Sequence, residues 1–197
     1  MKQAEKINAL LGDVAFPLMG YFFWNWNFYF ILLYFILDQV ARTIFLPWRL
    51  KLTELNQTEK IKIIVKSSIL LFSELFIIHF FLKVLISDIH FQKEILNFIH
   101  YSDMGIEQGY ILLPLLILGE WLRMKQDLKT GLVGSKQLNN LERNRNLSFF
   151  RISFFSFFLG LQFWTPLKES IMIFVFFLFI SVLVFYPFKI RSSNSKT

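Results

Sequence analysis

Five charged residues stand inside strongly apolar stretches of this sequence, and their side chains are of the types that form ion pairs, bind ions or transfer protons. They are Asp38, Arg42, Glu74, Glu120 and Arg151. An ionised group in an apolar environment is costly unless a partner neutralises it. Asp38 and Arg42 stand four residues apart, which is the spacing at which two side chains meet on one face of a helix. The sequence therefore predicts one ion pair here, and the other three charges need partners as well.

The composition indicates what surrounds these charges. Of the 197 residues, 55% are hydrophobic, 26 are Phe and 18% are charged, against roughly 25% charged residues in soluble proteins. The apolar residues fall in runs of near-membrane length, which is typical of an integral membrane protein. The sequence contains no Cys. This excludes disulfides, thiolate metal sites and cysteine nucleophiles.

Six segments are long and apolar enough, or nearly so, to cross a hydrocarbon core of about 30 Å as helices. The predicted spans are 8–24, 28–47, 64–86, 106–123, 148–164 and 170–188. The first and fifth are short and interrupted, so each could be tilted, kinked or partly re-entrant. We predict an all-α fold, an integral membrane bundle of about six transmembrane helices. It forms a single polytopic domain over residues 1–190, followed by a cytoplasmic tail at 191–197.

Basic residues predict the orientation, because short loops rich in Lys and Arg stay in the cytoplasm. With both termini in the cytoplasm, 16 of the 21 basic residues fall in inner segments. The same topology places all five Trp rings at the headgroup level as interfacial anchors. These are Trp24, Trp26 and Trp164 at the outer face, and Trp48 and Trp121 at the inner face. In this topology the net charge of +7 comes from basic residues at the inner face of the bilayer, where anionic lipid attracts them. We predict no nucleic-acid partner.

The predicted spans give the buried charges a common depth. At about 1.5 Å per residue, Asp38 lies roughly 15 Å into the second span, and Glu74 lies near the midplane of the third. The remaining three charges fall in the inner half. The sequence therefore predicts one buried polar cluster, for which three interpretations stay open. It could be a structural ion-pair network, a polar cavity that binds a small polar ligand or relays ions or protons, or a catalytic site.

Histidines offer other chemistry. His79 stands five residues after Glu74, so the two side chains splay around a helix, and no activated nucleophile stands near them. Four residues after the third span have the types found in metal sites: Asp88, His90, His100 and Asp103. Their spacing matches no metal motif. We predict no metal and no cofactor.

The connecting segments also carry structural predictions. Residues 48–66 alternate apolar and basic side chains, as either an interfacial helix or a solvated connector would. On the outer side, four apolar residues at helical spacing predict a half-buried helix: Ile95, Leu96, Phe98 and Ile99. The inner loop predicts a turn at Gly131 and Gly134, and a polar helix from Ser135 onward.

One motif resembles a known family. The run FPLMGYFFWNWNFYFILLYFILDQ is similar to the opening of an uncharacterised bacterial multi-pass membrane family, domain of unknown function six-four-nine-eight. In that family a Pro and a Gly precede a Trp, an aromatic residue follows nine positions later, an acid stands three residues beyond it, and an amide comes next. Trp26, Phe35, Asp38 and Gln39 keep this spacing. The family more often has Tyr and Glu at the positions of Phe35 and Asp38.

Two further segments extend the resemblance to about half of the chain. ELFIIHFFLKVLI is similar to an aromatic-His segment of the family, with His79 in register and Phe80 where Tyr is usual. LERNRNLSFFRISFFSFFLG resembles an Arg-bearing span and aligns Arg151. The family has no assigned activity. The resemblance implies four positions of interest: Asp38, Gln39, His79 and Arg151.

We predict a protein of the bacterial inner membrane. The leading hypothesis is a non-enzymatic accessory subunit that binds a ligand or a protein partner. The second hypothesis is a small channel or transporter, which would need several copies of so short a chain around an axis. The third is an intramembrane enzyme.

Overall fold

The computed structural model describes residues 11–51, 53–100, 108–129 and 135–185. This part contains seven α-helices and no strand, so the all-α prediction is confirmed. The helices are α1 (Phe16–Phe23), α2 (Phe28–Lys51), α3 (Gln57–Leu85), α4 (Phe91–His100), α5 (Gln108–Lys129), α6 (Ser135–Gln162) and α7 (Glu169–Phe185). A π-helical segment, Leu11–Ala15, leads into α1. Predictions for Asp103, the turn at Gly131 and Gly134, and the tail 191–197 lie outside the described residues.

Two helices, α2 and α3, are long and apolar enough to cross a membrane by length and composition. Helix α7 contains a shorter apolar stretch, Glu169–Leu183. Helices α1 and α4 have 8 and 10 residues, which correspond to about 12 and 15 Å and cannot cross a bilayer alone. The two candidate spans support membrane association.

Helix α2 is the core helix of the fold. Every residue from Phe28 to Ile36 is buried, because helices α1, α3, α4 and α5 all pack against α2. Helix α7 covers α2 as well, and the ring of Phe176 lies 5.9 Å from Phe28 and 5.4 Å from Phe35 between centroids. A helix that is apolar all round must be enclosed in this way.

Polar contacts bring the starts of α2 and α7 to the same end of the bundle. Glu169, the first residue of α7, accepts a hydrogen bond from the backbone N–H of Phe28 at 3.1 Å. Asn27 accepts one from the N–H of Phe30 at 2.8 Å and donates to Glu94 of α4 at 3.1 Å. These acceptors satisfy backbone donors that lack a partner within the first turn of α2. We call this the Phe28 end, and the opposite end the Arg49 end.

A tight turn ahead of α2 buries Trp26. The carbonyl of Gly20 accepts the N–H groups of Trp24 and Trp26 at 3.1 and 3.0 Å. Asn25 between them has a φ of 49°, which Asn tolerates better than most residues. Trp26 is 3% exposed. Its ring therefore packs in the core, whereas Trp48 and Trp164 are exposed. The placement of the Trp rings at the headgroup level stays a prediction.

Candidate functional site

Three helices bring polar residues to the same level of the bundle. Gln39 lies eleven residues after the start of α2, while Glu74 and Arg151 lie eleven residues before the ends of α3 and α6. Eleven residues correspond to about 16 Å of helix. Since these helix termini all lie at the Phe28 end, the three side chains share one depth, near the middle of a bilayer-sized bundle.

The first charged group is built around Glu74, which is 2% exposed. Arg151 donates from Nε and Nη2 to the two carboxylate oxygens of Glu74, the second contact measuring 3.2 Å. This two-point geometry is the strongest form of an arginine–carboxylate pair. Nη2 of Arg151 also lies 3.2 Å from Oγ of the buried Ser148. Gln39 donates to the same Oγ at 2.8 Å, so the group joins α2, α3 and α6.

The second charged group surrounds Glu120 of α5, which is also 2% exposed. Arg49 donates to its Oε2 at 2.5 Å, and Arg123 donates to its Oε1 at 2.8 Å. Nε of Arg42 lies 3.8 Å from the same Oε1. Arg42 also pairs with Asp38 at 2.6 Å, as their spacing predicts. The group joins α2 to α5 and extends from mid-depth to the Arg49 end.

The structure thus arranges six of the seven predicted residues as two groups instead of one. Asp38 and Gln39 are neighbours on α2, which places the groups side by side. His79 belongs to neither group. Its Nε2 lies 3.2 Å from the hydroxyl of Tyr29, and its Nδ1 lies 2.8 Å from the carbonyl of Leu75, so His79 links α2 to α3 nearer the Phe28 end.

Sequence reasoning missed Arg49 and Ser148. The predicted second span ended at Pro47, whereas α2 continues through Pro47 to Lys51. A usable signal was present in the sequence: Arg49 follows Arg42 by seven residues, which is two helical turns on the same face. The only sequence signal for Ser148 is its position three residues before Arg151. Its role depends on contacts between helices, which the sequence does not show.

A cleft opens between α2, α6 and α7 beside the two charged groups. Its free volume is about 20 Å³, room for little more than a water molecule, and it is partly open to the surroundings. Three arginines, one acid and one amide supply its polar wall, and four apolar residues supply the rest. The lining residues are Phe35, Asp38, Gln39, Arg42, Arg143, Leu147, Arg151, Ile180 and Leu183. Two of these arginines are paired with carboxylates, Arg42 with Asp38 and Arg151 with Glu74.

Oγ of Ser148 accepts from Gln39 and Arg151, and neither donor can act as the general base that a serine nucleophile needs. The described residues contain no group of three or more His, Cys, Asp or Glu side chains arranged to hold a metal ion.

Comparison with known proteins adds no relative from which a role could be transferred. The resemblance to domain of unknown function six-four-nine-eight stays a prediction. No protein-family model matches the chain, and neither a curated protein nor a solved structure matches it.

Proposed function

We propose that this chain is a multi-pass protein of a bacterial inner membrane, with about six spans and both termini in the cytoplasm. In this proposal it is a non-enzymatic accessory subunit, and its buried polar residues hold the bundle together and bind a small ligand. Each part of the proposal has its own support in the described residues.

Helix α3 supports the membrane part of the proposal. Its apolar side chains are exposed and its acidic side chain is buried, which is the reverse of a water-soluble helix. Glu74 is 2% exposed, whereas Phe72 and Phe76 beside it are 69% and 68% exposed. The exposed apolar side chains recur every three or four residues along one face: Ile61, Val65, Ile69, Phe72, Phe76 and Phe80. This stripe is about 28 Å long, close to the hydrocarbon thickness of about 30 Å. An uninterrupted apolar stripe of this length indicates a lipid-facing surface.

Two further helices support more than two crossings. Exposed apolar residues form one stripe on α7 and another on α5. The stripe on α7 consists of Ile171, Phe174, Leu178 and Val182, and the stripe on α5 consists of Ile111, Leu115, Leu118 and Leu122. Each stripe is about 16 Å long, which corresponds to part of the length of a membrane crossing.

The packing favours an accessory subunit over a pore through a single copy. Between the charged groups and the Phe28 end, the ring of Phe176 contacts the rings of Phe28, Phe35, Phe154 and Phe155 at centroid distances of 5.4 to 5.9 Å. Among the described residues, these close-packed rings leave no polar path for an ion through this part of the bundle. A channel would therefore need to form between several copies.

Topology can be tested with single cysteines, because the native sequence has none. Ser87→Cys lies in an exposed loop at the Phe28 end, and Glu54→Cys lies in an exposed loop at the Arg49 end. An impermeant maleimide added to intact spheroplasts should label Ser87→Cys at once and Glu54→Cys only after permeabilisation. Equal labelling of both sites in intact cells, or recovery of the protein in the soluble fraction, would contradict the proposal.

The accessory role can be tested on the complex extracted in mild detergent. Mass photometry gives the mass of the particle, and mass spectrometry of the same peak identifies its components. A fixed companion protein is the expected result. A homo-oligomer without a companion would instead favour the channel or transporter. Ion flux through reconstituted liposomes would then distinguish a channel from a transporter.

A further inference from the structure

We propose that His79 is a proton-binding site at the Phe28 end of the bundle, and that its protonation strengthens the attachment of α4 to α2 through the hydroxyl of Tyr29. His79 lies outside both charged groups, so the inference does not depend on the ligand or the partner proposed above. It follows from the two hydrogen bonds of the His79 ring and from the groups that surround Tyr29.

The first hydrogen bond determines which ring nitrogen of His79 carries the hydrogen in the neutral state. Nδ1 lies 2.8 Å from the backbone carbonyl of Leu75, one turn earlier on α3. A carbonyl oxygen can only accept, so Nδ1 is the nitrogen that bears the hydrogen. Nε2 is then an acceptor, and the hydroxyl of Tyr29, 3.2 Å away, donates to it. Neutral His79 therefore directs the hydroxyl hydrogen of Tyr29 toward α3.

Protonation of His79 reverses the second hydrogen bond. Histidine ordinarily changes its charge between about pH 5 and 8, and both nitrogens of the charged ring are donors. Nδ1 keeps its bond to the carbonyl of Leu75, while Nε2 takes up a proton from water and donates it to the hydroxyl oxygen of Tyr29. Tyr29 keeps its own proton and can now donate it to a different acceptor.

Glu94 of α4 is placed to be that acceptor. The ring of Phe91 lies 4.8 Å from the ring of His79 and 5.5 Å from the ring of Tyr29 between centroids. Glu94 follows Phe91 by three residues and so lies on the same face of α4. Its charge acts on the Tyr29 hydroxyl, and its Oε2 accepts from Asn27 at 3.1 Å. A carboxylate has about four acceptor sites, so Glu94 can accept from Tyr29 and keep Asn27.

Tyr29 and Glu94 are the titratable groups that act on this site from the helices packed around His79. Helices α1, α5 and α6 place no charged residue at this level in the described part of the chain. On α3 itself, Lys83 donates to carbonyls of the loop that follows. Glu169 of α7 accepts from the backbone N–H of Phe28. The other charged or histidine side chains described at this end are exposed: Asp88, His90, Lys93, His100 and Lys168.

The added hydrogen bond would act on α4, a helix of 10 residues. Without it, α4 is held on α2 by the ring of Phe98, 5.3 Å from the ring of Phe30, and by the bond between Glu94 and Asn27. A hydrogen bond to a charged acceptor changes an opening equilibrium by about tenfold or more. In the topology proposed above, the Phe28 end faces away from the cytoplasm, so α4 would respond to the external pH.

The test is amide hydrogen exchange of the full chain in a neutral detergent, measured by mass spectrometry at pH 5.5 and 7.5. Exchange times are scaled to remove the effect of pH on the chemical exchange rate. After scaling, the amides of Phe91–His100 should exchange about tenfold more slowly at pH 5.5 than at pH 7.5. The amides of α6 should exchange equally at both pH values and serve as the internal reference.

Three variants identify the groups responsible. His79→Gln removes the proton-binding ring, and Tyr29→Phe removes only the hydroxyl that joins this ring to Glu94. Each should abolish the difference between pH 5.5 and 7.5 in α4. His90→Gln is the matched control, because His90 is an exposed histidine at the same end. This control should keep the native difference.

Nuclear magnetic resonance of the native chain labelled with nitrogen-15 in histidine tests the tautomer without any substitution. At pH 7.5, the hydrogen of the neutral His79 ring should be on Nδ1. A hydrogen on Nε2 overturns the inference, and so does equal exchange of native α4 at the two pH values. Persistence of the pH effect in His79→Gln or in Tyr29→Phe, or its loss in His90→Gln, also overturns it.

Discussion

Arg49 and Glu120 join the Arg49 end of α2 to α5 across 71 residues of sequence, with Nη2 of the arginine 2.5 Å from Oε2 of the glutamate. Both residues are buried, and Nε of Arg49 has no acceptor in the described part of the chain. Glu120 also pairs with Arg123, whose side chain is 60% exposed. Glu120 thus has one buried partner, Arg49, and one exposed partner, Arg123. Removing each arginine in turn therefore measures how burial affects the strength of an ion pair with the same carboxylate.

Arg49→Gln should destabilise the fold by about 3–5 kcal/mol, because it leaves the buried charge of Glu120 with weaker compensation. Arg123→Gln should cost less than about 1 kcal/mol, since water screens an exposed pair. Unfolding of the purified protein by denaturant in detergent gives both values. Equal losses would mean that burial does not determine the strength of these pairs.

Glu74 and Arg151 should behave as a unit. Glu74→Leu leaves the guanidinium of Arg151 buried without its carboxylate, and we expect a loss of about 3–5 kcal/mol. The double variant Glu74→Leu/Arg151→Leu should recover most of this loss, because it removes both charges together. A double-mutant cycle on the free energy of unfolding measures the coupling. Additive effects would show that the two-point pair contributes nothing specific.

Phe76→Lys places a charge in the middle of the exposed apolar stripe of α3, which we propose faces lipid. The cost of inserting a charge there is about 2.5–3.5 kcal/mol, so the fraction of protein resistant to carbonate extraction should fall clearly. Thr58→Lys serves as the control, because Thr58 is exposed in the first turn of α3, before the stripe begins. An unchanged membrane fraction in Phe76→Lys would argue against lipid on this face.

Gly20→Ala should destabilise the turn that holds Trp26. A Cβ atom added to Gly20 would lie 2.4 Å from the indole ring, so the ring or the turn must shift, at a cost of about 1–3 kcal/mol. Gly160→Ala in α6 is the matched control, since its added Cβ meets nothing within 4 Å. The control should be neutral or slightly stabilising, because Ala favours a helix over Gly. The thermal midpoint measures both, and a normal midpoint for Gly20→Ala would contradict the clash.

The all-helical fold could be predicted from sequence, because the length and periodicity of apolar runs are local properties. The pairing of Asp38 with Arg42 follows from helical spacing for the same reason. The first predicted span, 8–24, instead contains an α-helix of only 8 residues. The partners of Glu74 and Glu120 could not be predicted, because depth fixes one coordinate and leaves the rotation of each helix free. The burial of Trp26 against Gly20 could not be predicted either, because the contact depends on the turn that joins α1 to α2.

The order of synthesis gives the long-range ion pairs a further consequence. Asp38 and Arg42 can neutralise each other as soon as α2 forms, but Glu74 must wait for Arg151, which is 77 residues later in the chain. At a ribosomal rate of roughly 5–20 residues per second, this delay is roughly 4–15 s. During that interval the acid on α3 is uncompensated. The early helices therefore cannot reach their final packing pair by pair, and the nascent bundle has to stay loosely associated until α6 has been synthesised.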